Sequence, residues 1–302
     1  MNLYLEKAWT AWSSVPAVEM TDLPVAKAQL HGRVNSFDGG HTARWLASLR
    51  EPTWRAVRDA ITGHTIHCVS DRPWTSLTKD LELGLRLLAW MTDRTAVTWY
   101  WWDQDWVRQL PAAEEPRRDH LNGGWAIPGV PEVHVYRREE AHKVMLHETI
   151  HAISLDIPAP LIEMQRTKFE AILGRRLWPH LNECFTELYA EWLWCIARGR
   201  TKAAAKKNWA DQLACSQDQA AAIWARIRSS TRDEDTNVFA YYILKWILMG
   251  HAEMVLLAPA ASVAFWTTWY LEALPTLNQL ATASEQNGSK DRLLYMGMTC
   301  NH

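Results

Sequence analysis

The stretch KVMLHETIHAI, residues 143–153, constrains the chain more than any other. It sets two histidines and a glutamate among Val144, Met145, Leu146, Ile150, Ala152 and Ile153. Apolar residues fall on nearly every side of a 3.6-residue period, so the segment predicts a helix buried all round rather than an amphipathic surface helix. Such a helix needs other elements packed on several of its faces. His147 and His151 are four apart and share one face, about one turn from each other. Burying these imidazoles and the Glu148 carboxylate without partners costs several kcal/mol. A divalent cation bound by both imidazoles offsets that cost.

Residues His147, Glu148 and His151 spell HExxH. Both imidazoles can reach one ion, and Glu148 projects to the side, where it can hold a water as general base instead of ligating. With 12 histidines in 302 residues, the pattern arises by chance in roughly a few per cent of such chains. Context therefore decides. A short strand, PEVHVYR, leads directly into the helix, and a third ligand is at hand further on.

A catalytic zinc ion takes three protein ligands and keeps a fourth position open. The segment LNECFTELYAEWLW, residues 181–194, carries Glu183, Glu187 and Glu191 every four residues on a helix that offers Leu188, Trp192, Leu193 and Trp194 for burial. Like charges at that spacing repel mildly. A stripe of three suggests a cation close by, where a solvated face is the plainer alternative.

HETIH followed by LNECFTE resembles the glutamate zincins (gluzincins), the thermolysin-like and one-zinc aminopeptidase families. The resemblance implies Zn2+ held by His147, His151 and Glu183, with Glu148 as general base and Glu187 as the carboxylate that orients a ligand histidine. Glu183 lies 32 positions beyond His151, a longer gap than those families use. Residues 158–180 then form an insertion, and Glu187 stays a rival third ligand. VYRREEAHKVMLHETIHAISLD with ECFTELYAEW is also similar to uncharacterised HExxH proteins of large DNA viruses, over about a third of the chain. The zincin comparison further implies an oxyanion donor on a later helix, for which Tyr241, Tyr242 and then His251 are the candidates. It also implies a substrate-pairing edge strand, for which LNGGWAIPG, with Asn122, Gly123, Gly124 and Trp125, is the candidate. An ordinary turn is the competing reading of that segment.

The expected fold is α+β, mostly helical and zincin-like, with a small sheet beside the motif helix. Residues 1–92 read as a helical region in which HTIHCVS alone suggests a strand. Residues 93–302 read as a zincin-like catalytic domain, in which 93–136 form the small sheet with its edge strand and TAVTWYWW is a strand. Residues 137–302 read as a helical lobe, with helices over 138–154, 161–174, 182–198, 203–228, 237–257 and 262–274 and a polar loop from ATASEQNGSKDR. One continuous domain is the alternative. His64 and His67 read as structural.

A net charge of −2 and a pI near 6.6 give no electrostatic reason to expect nucleic acid or an anionic membrane. Val238–Trp266 is interrupted by Lys245, His251 and Glu253 and reads as buried helix rather than a membrane span. Five cysteines, odd in number and without a CxxC pair, point away from a disulfide framework. No secretion signal is evident, so a cytoplasmic or virion-associated protein is expected. Most of the 19 tryptophans are expected in the core. Arg175, Arg176 and the group Arg198, Arg200, Lys202, Lys206 and Lys207 are candidates for reading acidic peptides, against the plainer solvated face.

These readings converge on a zinc-dependent metallopeptidase acting on a peptide or protein. The alternatives are a non-catalytic zincin-like structural or assembly protein, and a metal hydrolase of non-peptide substrates.

Overall fold

The structure, a computed structural model, describes residues 2–25, 27–34, 38–107, 118–157, 167–168, 170–172, 181–229 and 237–286. Helices outweigh strands, an α+β composition. The chain divides into two compact units, one of Lys7–Val107 with Asn122–Leu155, the other of Met1–Glu6, Arg108–Leu121 and Asp156–His302. This division differs from the expected breaks at 92 and 136, because early strands join the same sheet as later ones.

The first unit is built on a six-stranded mixed sheet in the order β1-β2-β3-β4-β6-β5. The strands are β1 (Met20–Asp22), β2 (Thr53–Asp59), β3 (Thr65–Ser70), β4 (Thr98–Asp103), β5 (Gly124–Ala126) and β6 (Glu132–Val135). β3, β4 and β6 run parallel, and the outer pairings are antiparallel. Strand β4, TWYWWD, is buried at five of its six positions, as expected of a parallel strand covered on both faces. Three strands lie before residue 92, where only HTIHCVS was expected. TWRAVRD escapes notice because Arg55 and Arg58 break the apolar pattern of β2.

On one face, Trp99 and Trp101 stack at 5.0 Å beneath α4 (Trp74–Met91) and α6 (Ala141–Ala152). Gly84 of α4 is required there, since a Cβ would come within 2.5 Å of the Trp99 ring. On the other face, Val69, Tyr100 and Trp102 form a core with Leu30 of α2 (Lys27–Gly32), against which Trp45 and Leu46 of α3 (His41–Ser48) pack. A buried ionic knot closes one end of the sheet. Asp103, fully buried, accepts from Ser70 Oγ (2.5 Å), Arg72 Nε (2.7 Å) and Arg138 Nε (3.0 Å). His64 is structural as expected. Its Nδ1 accepts from Val97 N at 3.0 Å and its Nε2 lies 3.0 Å from Thr92 O.

The second unit is helical. Besides α1 (Asn2–Ser14), which begins in it, and the short α5 (Arg118–Leu121), it contains α7 (Leu181–Arg198), α8 (Lys202–Ser229), a π-helical turn (Phe239–Leu244), α9 (Lys245–Gly250), α10 (Ala252–Leu257) and α11 (Pro259–Gln286). α7 and α8 fall within one residue of the expected spans. The expected 237–257 helix is broken into three pieces, and α11 runs to Gln286 through Pro275. ATASEQ is therefore helix, not loop. Of the helix expected over 161–174, residues 167–168 and 170–172 are described and are helical. The rest of it, Arg175, Arg176 and the loop 108–117 lie outside the described residues. Cys68, Cys184 and Cys195 are free and buried. Cys215 is disulfide-bonded, a departure from the expectation, since an odd cysteine count does not preclude one bridge. No helix among the described residues is long and apolar enough to cross a membrane.

Candidate metal centre

All twelve residues of α6 are buried, as the all-round apolar pattern requires. The helix packs on β4, β5 and β6 and on α4. His142, one turn before the motif, is a packing residue, with Nε2 2.8 Å from the Asp80 carbonyl of α4. The helix stops just after the second motif histidine. Ser154 takes the left-handed conformation at φ 56, and Leu155 N donates to Ile150 O at 3.0 Å, a left-handed helix stop usually made by glycine. The His151 carbonyl also receives Ser154 N (3.0 Å) and Gly129 N (3.3 Å), which ties the β5–β6 turn to the end of α6.

His147, Glu148 and His151 are 6–8% exposed. The two Nε2 atoms lie 3.2 Å apart with the rings at 69°, so both lone-pair edges face one small volume. Glu148 lies beside the edge strand. A Cβ on Gly124 would stand 3.1 Å from Glu148 Cγ, 2.8 Å from Val144 Cγ1 and 2.5 Å from the His134 carbonyl. Glycine at 124 thus lets α6 and β5 approach closely.

On α7, Glu183 is half-buried, while Glu187 and Glu191 are fully buried. The Tyr241 hydroxyl donates to Glu183 Oε2 at 3.2 Å. Glu187 Oε1 has Lys245 Nζ, also fully buried, at 4.0 Å. Tyr241 and Tyr242 both sit in the π-helical turn, with Tyr242 fully buried. π-turns recur at functional sites, and nothing in NVFAYYILKW signals one. Burial, then the Glu183 charge, pushes the Cys184 thiol well up, and its Sγ donates to the Leu181 carbonyl at 3.2 Å.

His147 and His151 belong to the first unit, and Glu183 and Glu187 to the second. Asn122, Gly123, Gly124 and Trp125 lead into and form β5, at the outer edge of the sheet. Gly123 O accepts from Tyr136 N at 2.9 Å. The expected basic cluster is in part internally paired, Lys202 with Glu6 and Lys207 with Asp211. His251 stacks on Trp269 at 4.3 Å, and burial lowers its pKa. A surface depression of about 420 Å³ includes Arg44, Trp45 and Trp106 in its lining. Trp106 is already stacked on His41 and covered by Arg137, and no candidate residue lines the depression. Compared with known protein families, curated proteins and solved structures, the chain matches none.

Proposed function

We propose that the chain is a zinc-dependent metallopeptidase of the gluzincin type. His147, His151 and Glu183 hold the ion, and Glu148 is the general base. One observation carries the reading: two buried imidazole nitrogens lie 3.2 Å apart on one face of the helix that spells HExxH. Two nitrogens each about 2.05 Å from a tetrahedral zinc ion lie roughly 3.3 Å apart. The donor set of two imidazoles and one carboxylate also suits zinc. Zinc in such a set supplies Lewis acidity toward a carbonyl and lowers the pKa of a water toward neutrality.

The chain's own residues account for the remaining steps. Glu148 takes a proton from the attacking water and returns it to the leaving amine. Its nearly complete burial keeps competing water away. The Tyr241 hydroxyl holds the Glu183 carboxylate in place. Tyr242, and Tyr241 once its single hydroxyl proton turns from Glu183 to the substrate, are the candidate donors toward the oxyanion that develops on the carbonyl. The open edge of β5 takes the substrate as an added strand, and Gly124 lets that strand lie close to Glu148. Glu187 serves as a buried support on the same helix, one turn from Glu183.

Metal analysis of the purified chain tests this reading. About one zinc per chain is expected, lost in Glu183→Ala and largely kept in Glu187→Ala. Glu148→Gln should keep the ion and abolish hydrolysis of a peptide library. No zinc after reconstitution would reduce the 3.2 Å contact to an imidazole–imidazole hydrogen bond. Hydrolysis undiminished in Glu148→Gln would remove the peptidase assignment.

A further inference from the structure

We propose that the site takes an extended peptide with an aromatic residue opposite Trp125, on the face of the sheet away from α6. This rests on the peptidase reading and names its substrate class.

The observation is a ladder of rings, one per strand. The register aligns His67 with Tyr100, Tyr100 with His134 and His134 with Trp125, across β3, β4, β6 and β5. Successive ring centroids are 5.2, 5.0 and 3.7 Å apart, and the planes are within 16° of parallel. Trp102 extends the stack sideways, 5.8 Å from His134. The ladder stops at Trp125 because β5 is the outermost strand among the described residues. Trp125 itself is only partly buried.

A strand added to β5 brings the residue opposite Trp125 onto the same face, with Cβ atoms about 4.5–5.5 Å apart. That is the spacing at which the existing rungs stack. A planar side chain continues the ladder. An aliphatic one covers area without the ring pairing, and a charged one must give up water over a stack whose inner members are buried. The rung beneath Trp125 carries no charge near neutral pH, because burial holds the His134 imidazole down to about 3.

The opposite face of the same strand explains why this position bears on cleavage. Gly124 and Ala126 alternate with Trp125 and point toward α6, and Gly124 lies against Glu148. The substrate residue opposite Gly124 therefore neighbours the aromatic one in sequence. Cleavage should map within about two residues of the aromatic side chain. Just beyond β5, Ile127 and Val130 are exposed, as is Leu155 after α6, and the Gly129–His151 hydrogen bond holds their two segments together. Three exposed apolar side chains beside the outermost described strand favour an apolar segment over an acidic one.

The test uses the full-length, zinc-loaded Glu148→Gln chain panned against displayed random peptides of about ten residues, roughly two strand lengths. Phe, Tyr or Trp should be enriched at one position. A selected Phe peptide should bind about three- to tenfold tighter than its Leu twin by fluorescence anisotropy. Trp125→Tyr should keep that ratio, and Trp125→Leu should bring it below about twofold, with circular dichroism confirming that both variants fold. Four results would each overturn the proposal: equal binding of the twins, enrichment of Lys or Arg instead, no retained peptide, or a self-paired dimer that disappears in Trp125→Leu. Zinc binding and hydrolysis without aromatic preference would sink this inference alone. Aromatic preference without hydrolysis by the Glu148-intact chain would leave it standing and sink the peptidase reading.

Discussion

Acid should loosen the sheet through His134, by an amount the structure sets. The imidazole is fully buried between Trp125 and Tyr100. Neither ring nitrogen has a hydrogen-bond partner among the described residues. The Glu132 carboxylate, 3.9 Å from Nε2, is engaged by Arg33 at 2.7 Å. Burial first, and the Arg33 charge second, lower the His134 pKa to about 3. In the unfolded chain the ordinary value of about 6.5 applies. The folded value is the depressed one, so the unfolded chain binds the extra proton. Stability is then complete above pH 6.5 and lost as the pH falls toward 3. At pH 5 the loss is about 2 kcal/mol, insensitive to the folded value so long as that stays below about 4. Urea unfolding of wild type and His134→Phe at about pH 7.5 and pH 5 measures it, and phenylalanine keeps a ring in the stack. Chelator in every sample lets the titrations of His147 and His151 cancel between the two proteins. Wild type should lose about 2 kcal/mol more than the variant between the two pH values. Equal losses would refute a buried, uncharged His134 as the origin of acid sensitivity.

Three further substitutions probe the packing around the motif helix. Gly124→Ala sets a methyl group against the His134 carbonyl and Val144, and overpacking should cost about 1–3 kcal/mol in chemical denaturation. Ser154→Gly relieves the left-handed residue that ends α6 and should add up to about 1 kcal/mol, read as a higher melting temperature. Asp103→Ala leaves Arg72 and Arg138 without their buried carboxylate; because the two arginines are 24% and 28% exposed, a loss of about 3 kcal/mol is expected, at the low end for a broken buried pair.

Much of this protein is written locally. Helical periodicity depends on neighbours three and four residues apart, so α7 and α8 were legible almost to the residue and α6 to within three residues, as was the shared face of His147 and His151. The β-branched and aromatic run of β4 was equally plain. β2 was not, because its arginines lie along cation-tolerant surfaces, Arg55 over the Trp74 ring at 3.3 Å. The π-helical turn under Tyr241 and Tyr242 was hidden too, since a one-residue bulge leaves no mark on composition.

Long-range register is the remainder. The chain carries Glu183 and Glu187 one turn apart with equal claims as a third ligand. In the structure the Tyr241 hydroxyl donates to Glu183, and Glu187 lies near the buried Lys245. The ring ladder is of the same kind, because residues 67, 100, 134 and 125 meet only when four strands have taken their places. By itself, then, the sequence determined the long regular helices α7 and α8 and the shared face of His147 and His151, through interactions within one turn of helix. Which glutamate meets Tyr241 and which meets Lys245, and which ring falls on the outermost strand among the described residues, was decided by tertiary packing, because only contacts between distant segments choose among faces that local pattern leaves equivalent.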